Sequence, residues 1–469
     1  MTIDWQKEVE KRKDDLLNDL IEILKVKSER EDDKITADAP FGPGPRDALL
    51  HMLAYGERDG FVVKNVDNYA GHIEYGEGTE ILGIFGHMDV VPAGDGWDTD
   101  PYVPVIKDNK IYARGSSDDK GPSMAAYYGL KIIKELGLPV SKKIRFVVGS
   151  DEESTWKDMD YYFEHEVMPD FGFAPDAEFP IINGEKGNIS ITPQFATTNE
   201  GDYELVSFKA GLRANMVPQD AIAVVVTDSN ESAVALAEAF EGFVAENPIS
   251  GTAEVNGGTV NIKLIGKSAH GAHPEAGINA ATYLAVFLNH YEFGAGAKNF
   301  LAAATLIHLD VYGEKLGVAH QDEKMGKLTM NAGLFDFEAG QEAASINLNF
   351  RYPQGTGQDT LEKGIQTTMG EFLTTLVSQE HHSGPHYVPM EDPLVSTLLA
   401  VYEDHTGEKG YEQIIGGGTY GRLLERGVAF GAMFPGYTDT MHQANEFMSL
   451  DDLYRAAVIY ADAIYRLAK

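Results

Sequence analysis

Gly83-Ile84-Phe85-Gly86-His87-Met88-Asp89-Val90-Val91-Pro92 is the stretch from which the rest of the chain can be read. Its apolar lead-in, Ile81 to Phe85, is short and rich in branched and aromatic residues, which predicts a buried strand. Where that run ends the chain turns polar, at His87 and Asp89. Side chains at i and i+2 of an extended backbone face the same side, so both groups look into one space. An imidazole can lend a neutral nitrogen to a metal while a nearby carboxylate takes its other ring proton. A lone histidine at a strand end is more often structural, so the surrounding sequence has to decide.

Outward from this stretch, Leu16, Leu17, Leu20, Ile21, Ile23 and Leu24 recur at helical spacing, and Pro45 suits the first turn of a helix running to Arg58. Phe61–Val66, Lys143–Val148 and Phe171–Ala174 read as strands, and Gly121–Leu136 as a helix. Strands alternating with helices imply an α/β layer with a central sheet flanked by helices. Ligands of such sheets sit beyond the carboxyl ends of the strands. His87, the run Asp151-Glu152-Glu153 and Asp176 all fall at such ends.

After Gly187 the pattern changes. Strands are expected at Ile189–Phe195, Ala221–Val226, Ala253–Val255, Thr259–Ile265 and Ser345–Tyr352. Helices are expected at Glu231–Ala245, Asn279–Asn289 and Thr360–Leu376. This is an α+β grammar with helices on one side of a sheet. Near His386 the first style returns, with helices at Pro393–His405 and Leu450–Leu467. The expected organisation is a catalytic domain from residues 1–186 and 383–469 with an inserted domain at 187–382.

With 38 basic against 73 acidic residues the net charge is −35, which excludes the basic footprint of a nucleic-acid binder and would repel an anionic membrane. There is no cysteine, so any metal must be held by His and carboxylates. The first residues lack a charged-then-apolar signal pattern, and no stretch approaches the ~18 uninterrupted apolar residues of a membrane span. A cytoplasmic location is expected.

Four further stretches carry chemistry: Ile111 to Gly121 with Asp118-Asp119, Gly149 to Ser154 with Glu152 and Glu153, Pro175-Asp176-Ala177-Glu178, and Tyr437 to Glu446 with His442. Any one of these acids alone would be a solvated turn. Crowded carboxylates repel one another, and together with two histidines they call for a cation. His381, His382 and His386 read instead as a solvated loop.

The motifs HMDVVPAGDGW, ARGSSDDKGP, GSDEES, PDAEFP, GKSAHGAHPEAGINA and MHQANE, in that order, resemble the dinuclear zinc peptidase family of aminoacylase, carboxypeptidase G, carnosinase and succinyl-diaminopimelate desuccinylase. The resemblance implies an α/β catalytic domain with an inserted, two-lobed α+β (ferredoxin-like) lid. It implies two Zn²⁺, with Mn²⁺ or Co²⁺ as alternatives. His87 and Asp176 would hold one ion, Glu153 and His442 the other, and Asp118 both. Asp89 would orient His87, Glu152 would be the general base, and the Asp118–Asp119 peptide would be cis. Neighbours in an extended backbone point to opposite sides, which fits different tasks for Glu152 and Glu153. His270 matches the lid histidine that polarises the scissile carbonyl. Asn215 and Arg351 resemble substrate-binding lid residues, and Gly417 lies in a glycine-rich segment that lines the substrate site with backbone groups.

The function implied is hydrolysis of unblocked dipeptides, β-alanyl ones included, because in this family an Asp at the Asp176 position accompanies substrates with a free amino terminus. Alternatives are an N-acyl or N-succinyl amino acid deacylase of the same family and an inactive peptide-binding relative. A dipeptide is the expected partner, with no nucleic acid and no membrane. The insert is longer than the single lobe of dimeric members, so a monomer closing its lid over its own site is expected.

Overall fold

The computed structural model describes residues 3–380 and 382–469, so His381 lies outside the described residues. The chain divides into two compact units, Met1–Gly184 with Tyr387–Lys469, and Glu185–His386.

The first unit is built on a six-stranded mixed sheet in the order Val62–Val66, Ala70–Tyr75, Lys143–Gly149, Ile81–His87, Phe171–Ala174, Gly427–Ala429. Ile81–His87 runs parallel to both of its neighbours, while the Ala70 strand pairs antiparallel on either side. Alternation along the Ile81 strand serves both faces of the sheet. Leu82 and Ile84 enter a core with the helices Pro43–Arg58, Lys120–Glu135 and Leu450–Ala468, whereas Phe85 faces Met159 and Tyr162 of the helix Lys157–His165. Lys120–Glu135 is buried on all sides from Lys120 to Ile133, as its nearly unbroken small and apolar sequence requires of a helix layered between sheet and helix. Leu450–Ala468 covers it and starts from a Ser449 cap that accepts the Asp452 N–H.

The second unit is one antiparallel eight-stranded sheet, ordered Ser250–Asn256, Thr259–Ile265, Asp220–Thr227, Tyr203–Ala210, Thr329–Glu338, Ala344–Tyr352, Gly187–Phe195, Thr375–Ser378. Burial alternates along Gly187–Phe195. The buried residues Ile189, Ile191 and Phe195 share a core with the helices Asn230–Glu246, Ala280–Leu288, Ala295–Leu306 and Gln358–Met369. The helix expected at Thr360–Leu376 ends at Met369, before Gly370, and Thr375–Ser378 is instead an edge strand paired with Ile191 to Gln194. Threonine and valine in that stretch favour the pleated form. Among the described residues no helix is long and apolar enough to cross a membrane.

Candidate metal centre

Register gathers the site. His87 pairs with Gly149 across the parallel ladder, so the Ile81 and Lys143 strands end level with each other. Ile84 pairs with Phe173, which brings the end of the third strand, and with it Asp176, to the same edge. The loop after Gly149 therefore starts beside His87. Gly86 lets a second loop come close from below. A Cβ there would meet the Ser123 Oγ at 1.9 Å, and the space is used by Asp119, whose Oδ2 accepts the His87 N–H at 3.1 Å and the Ser123 hydroxyl at 2.6 Å.

The His87 ring is 1% exposed. Its Nδ1–H donates to the backbone carbonyl of Asp89 at 3.0 Å, with the Asp89 carboxylate 3.4 Å away. That leaves Nε2 with a lone pair, and it has no hydrogen-bond partner although it is buried. It faces Asp118 Oδ1 at 3.2 Å and Asp176 Oδ2 at 3.6 Å. A lone pair enclosed by carboxylates requires positive charge between them, either a ring proton or a cation. Burial pushes the His87 pKa down, but Asp118, Asp176 and Asp89 outweigh it and lift it well above the ordinary value.

Around this nitrogen the other acids stand in two overlapping groups. His87, Glu152 and Asp176 bring ligand atoms within 4.8 Å of one another, and so do His87, Asp118 and Glu153. His442 adds its Nε2 at 2.9 Å from Asp118 and 3.2 Å from Glu153, with its ring 56% exposed. Burial raises the Glu152 carboxyl well above its usual range, Glu153 to about 8 and Asp176 to about 6, the last two raised further by the charge of Asp118. Burial also works on Asp118, but the nearby imidazoles of His442 and His87 hold it low. An all-oxygen and imidazole donor set, crowded with unneutralised acid, fits a divalent cation and offers nothing to a softer thiolate-type ion. The Asp118–Asp119 peptide is cis.

Several further side chains hold this edge together. Asp89 accepts the backbone N–H of Glu152 at 3.2 Å and of Glu153 at 3.0 Å, so one carboxylate fixes both acids as well as touching His87. Asp158 is fully buried and receives the N–H groups of Ser150 and Asp151 and the Tyr420 hydroxyl; burial pushes its pKa up to about 7. Tyr420 in turn meets the His87 ring edge-on at 6.2 Å. Glu446, 0% exposed, accepts from Arg114 at 2.7 Å, from the backbone of Gly115, Ser117 and Asp118, and from the Ser117 hydroxyl. It lies four residues beyond His442 and so ties that loop to the Asp118 loop. Glu446 was visible as the last residue of MHQANE; Asp158 had no such signal.

The remaining candidates are not among these groups of potential ligands. Gly417 is in the first unit with open space at its Cα, since a Cβ there would meet only Ile415 Cδ1 at 3.8 Å. His270, Asn215 and Arg351 belong to the second unit. Within it, His270 and Asn215 are brought together: Met216 bridges His270, and the Gly271 N–H donates to the Asn215 carbonyl at 2.7 Å. Arg351 is 6% exposed on the Ala344 strand, pairs in register with Thr329, and donates from Nε to Asn349 at 3.2 Å.

The chain is similar along its length to known peptidases. The chain is 46% identical over 472 residues to a β-Ala-Xaa dipeptidase of Lactobacillus delbrueckii subsp. lactis, covering 100% of this chain and 99% of the relative. Among solved structures, a tripeptidase from Staphylococcus aureus subsp. aureus mu50 superposes with a TM-score of 0.58 at 18% identity, over 97% of this chain and 98% of the other. Human carnosine dipeptidase 1 gives 0.57 at 13%, over 99% and 98%. Both share the fold. Residues 83–466 match the family model described as peptidase family M20/M25/M40, and the stretch that opened the reading is where the match begins: the chain belongs to that family.

Proposed function

We propose that this metal-dependent dipeptidase cleaves unblocked dipeptides, β-alanyl ones among them, using two Zn²⁺ and Glu152 as general base. The observation that carries the metal reading is the buried His87 Nε2, without a hydrogen bond and enclosed by Asp118 and Asp176. The substrate reading is supported by likeness to a β-Ala-Xaa dipeptidase along the full length.

His87 and Asp176 would hold one ion, Glu153 and His442 the other, with Asp118 shared between them. Mn²⁺ or Co²⁺ suits the same donors. When bound, such ions supply Lewis acidity for water activation and for polarising a carbonyl. The chain's own groups do the rest. Glu152 accepts the proton of the attacking water and passes it to the leaving amine. Asp89 fixes the backbone that carries Glu152, which keeps the base aimed. In the second unit, His270 would donate to the developing oxyanion, and Arg351 with Asn215 would grip the dipeptide and its carboxylate. Gly417 would offer backbone groups to substrate.

The test is a side-by-side assay of purified protein on β-alanyl-leucine, leucyl-leucine and N-acetyl-methionine. Turnover of the two dipeptides without the acetyl compound is expected. Turnover of N-acetyl-methionine alone would replace the dipeptidase reading with a deacylase.

A further inference from the structure

We infer that Asn331 is a positioning residue whose buried carboxamide fixes the loop that presents Asn215. The inference rests on the reading above in one respect only, that Asn215 meets substrate.

Asn331 lies on the Thr329–Glu338 strand and is 1% exposed. Its Nδ2 donates to the carbonyls of Ala214 at 2.8 Å and Met216 at 2.9 Å. Both amide hydrogens are thus used on the carbonyls of the two residues that flank Asn215. The loop's own side chains do little to hold it, because Leu212 is 87% exposed and the side chains of Arg213 and Asn215 also face solvent. A loop without buried side chains is fixed through its backbone or not at all. The strand beneath is shaped for this contact. Its register shifts between Ala332 and Leu334, and a Cβ on the intervening Gly333 would meet the Ala214 carbonyl at 2.3 Å.

The grip extends sideways. The Asn215 carbonyl receives the Gly271 N–H, and the Val217 N–H donates to Ala269 at 2.9 Å, so the backbone on either side of His270 is tied to the same loop. Asn331 also pairs in register with Asn349, whose Nδ2 donates to Asn188 at 2.9 Å and whose Oδ1 accepts from Arg351. A single strand pair thus supports the loop of Asn215 on one strand and Arg351 on the other. Loss of the Asn331 amide leaves two carbonyls without their donor, and the loop is then free to open.

Two variants test this from different directions. Asn331→Ala removes the donor, and Gly333→Ala pushes on the same carbonyl without touching Asn331. Limited trypsin digestion followed by mass spectrometry reads cleavage after Arg213, while the other sites report global unfolding. Both variants are expected to speed cleavage after Arg213 selectively. They should also lower kcat/KM on a dipeptide by about 10- to 100-fold with metal content unchanged. In an Asn215→Ala background, adding Asn331→Ala should cost little more, since both changes remove one interaction. Unchanged cleavage after Arg213 in both variants would overturn the inference. A cost that adds in full to that of Asn215→Ala would overturn action through Asn215. Faster cleavage with a harmless Asn215→Ala would support the hold of Asn331 and overturn the substrate assignment of Asn215.

Discussion

Glu152 and Glu153 are adjacent, and both backbone N–H groups end on one carboxylate, Asp89, yet their side chains join different groups of acids. Their separation predicts separate losses. Glu152→Gln keeps the volume and removes the base, so turnover on a dipeptide should fall by ~10²–10⁴ with metal content intact by elemental analysis. Glu153→Gln should lose metal from one site. The opposite pattern would exchange the two assignments. At this scale the sequence was most informative for His87 and Asp176, which announce themselves by type and by place at strand ends, whereas Asp118 and His442 lie in loops and were legible only within their motifs. It was silent on Asp158 and Asn331. Each works by accepting from or donating to a nearby backbone, and such a contact leaves no spacing to read.

Among elements, the short contact between the end of helix Pro43–Arg58 and helix Lys120–Glu135 makes a pH prediction. Burial pushes the Asp59 carboxyl up, but Arg58, Tyr127 and Lys131 outweigh it and hold it at about 2 against its usual 3.8. A carboxyl lowered by folding stabilises above its unfolded pKa, and that contribution disappears as pH falls through the folded value. Asp59→Asn should therefore cost about 2 kcal/mol near neutral pH and almost nothing near pH 2, with the gap closing below about pH 4. Denaturant titration of chelator-treated protein at each pH measures it. The Glu446 clamp predicts a second loss. Glu446→Gln strands the buried Arg114 charge and should lower stability by about 3 kcal/mol by the same method, alongside weaker metal retention. Two long strands escaped the sequence for a definite reason. Tyr203–Ala210 and Thr329–Glu338 each contain a register shift, at Leu205/Ser207 and at Ala332/Leu334, and one extra residue breaks the alternation by which a strand is recognised. Ile81–His87 has no such break and was plain.

At the scale of the whole molecule, the metal reading predicts that a strong chelator abolishes dipeptide hydrolysis and that Zn²⁺, Mn²⁺ or Co²⁺ restores it. Full activity after verified metal removal would end the reading. The long insert predicts a monomer in which His270 serves its own chain. Light scattering should then give about 51.3 kDa, and a mixture of Glu152→Gln and His270→Ala proteins should recover no activity. Recovery would mean that the second unit works on a partner. One feature of the first unit also bears on how the protein comes into being. His442 and Glu446 lie late in the chain, followed by the helix Leu450–Ala468, which covers Lys120–Glu135 and whose Ala468 carbonyl receives the Ser141 and Lys142 N–H groups. Translation therefore delivers His87, Asp118, Glu153 and Asp176 to the cell long before the second imidazole and the clamp that steadies the Asp118 loop. On the ribosome the site is a scatter of acids with one histidine. A chain cut short before Tyr437 should remain metal-poor by elemental analysis, so that durable loading would mark a polypeptide whose synthesis has passed the last of the proposed ligands.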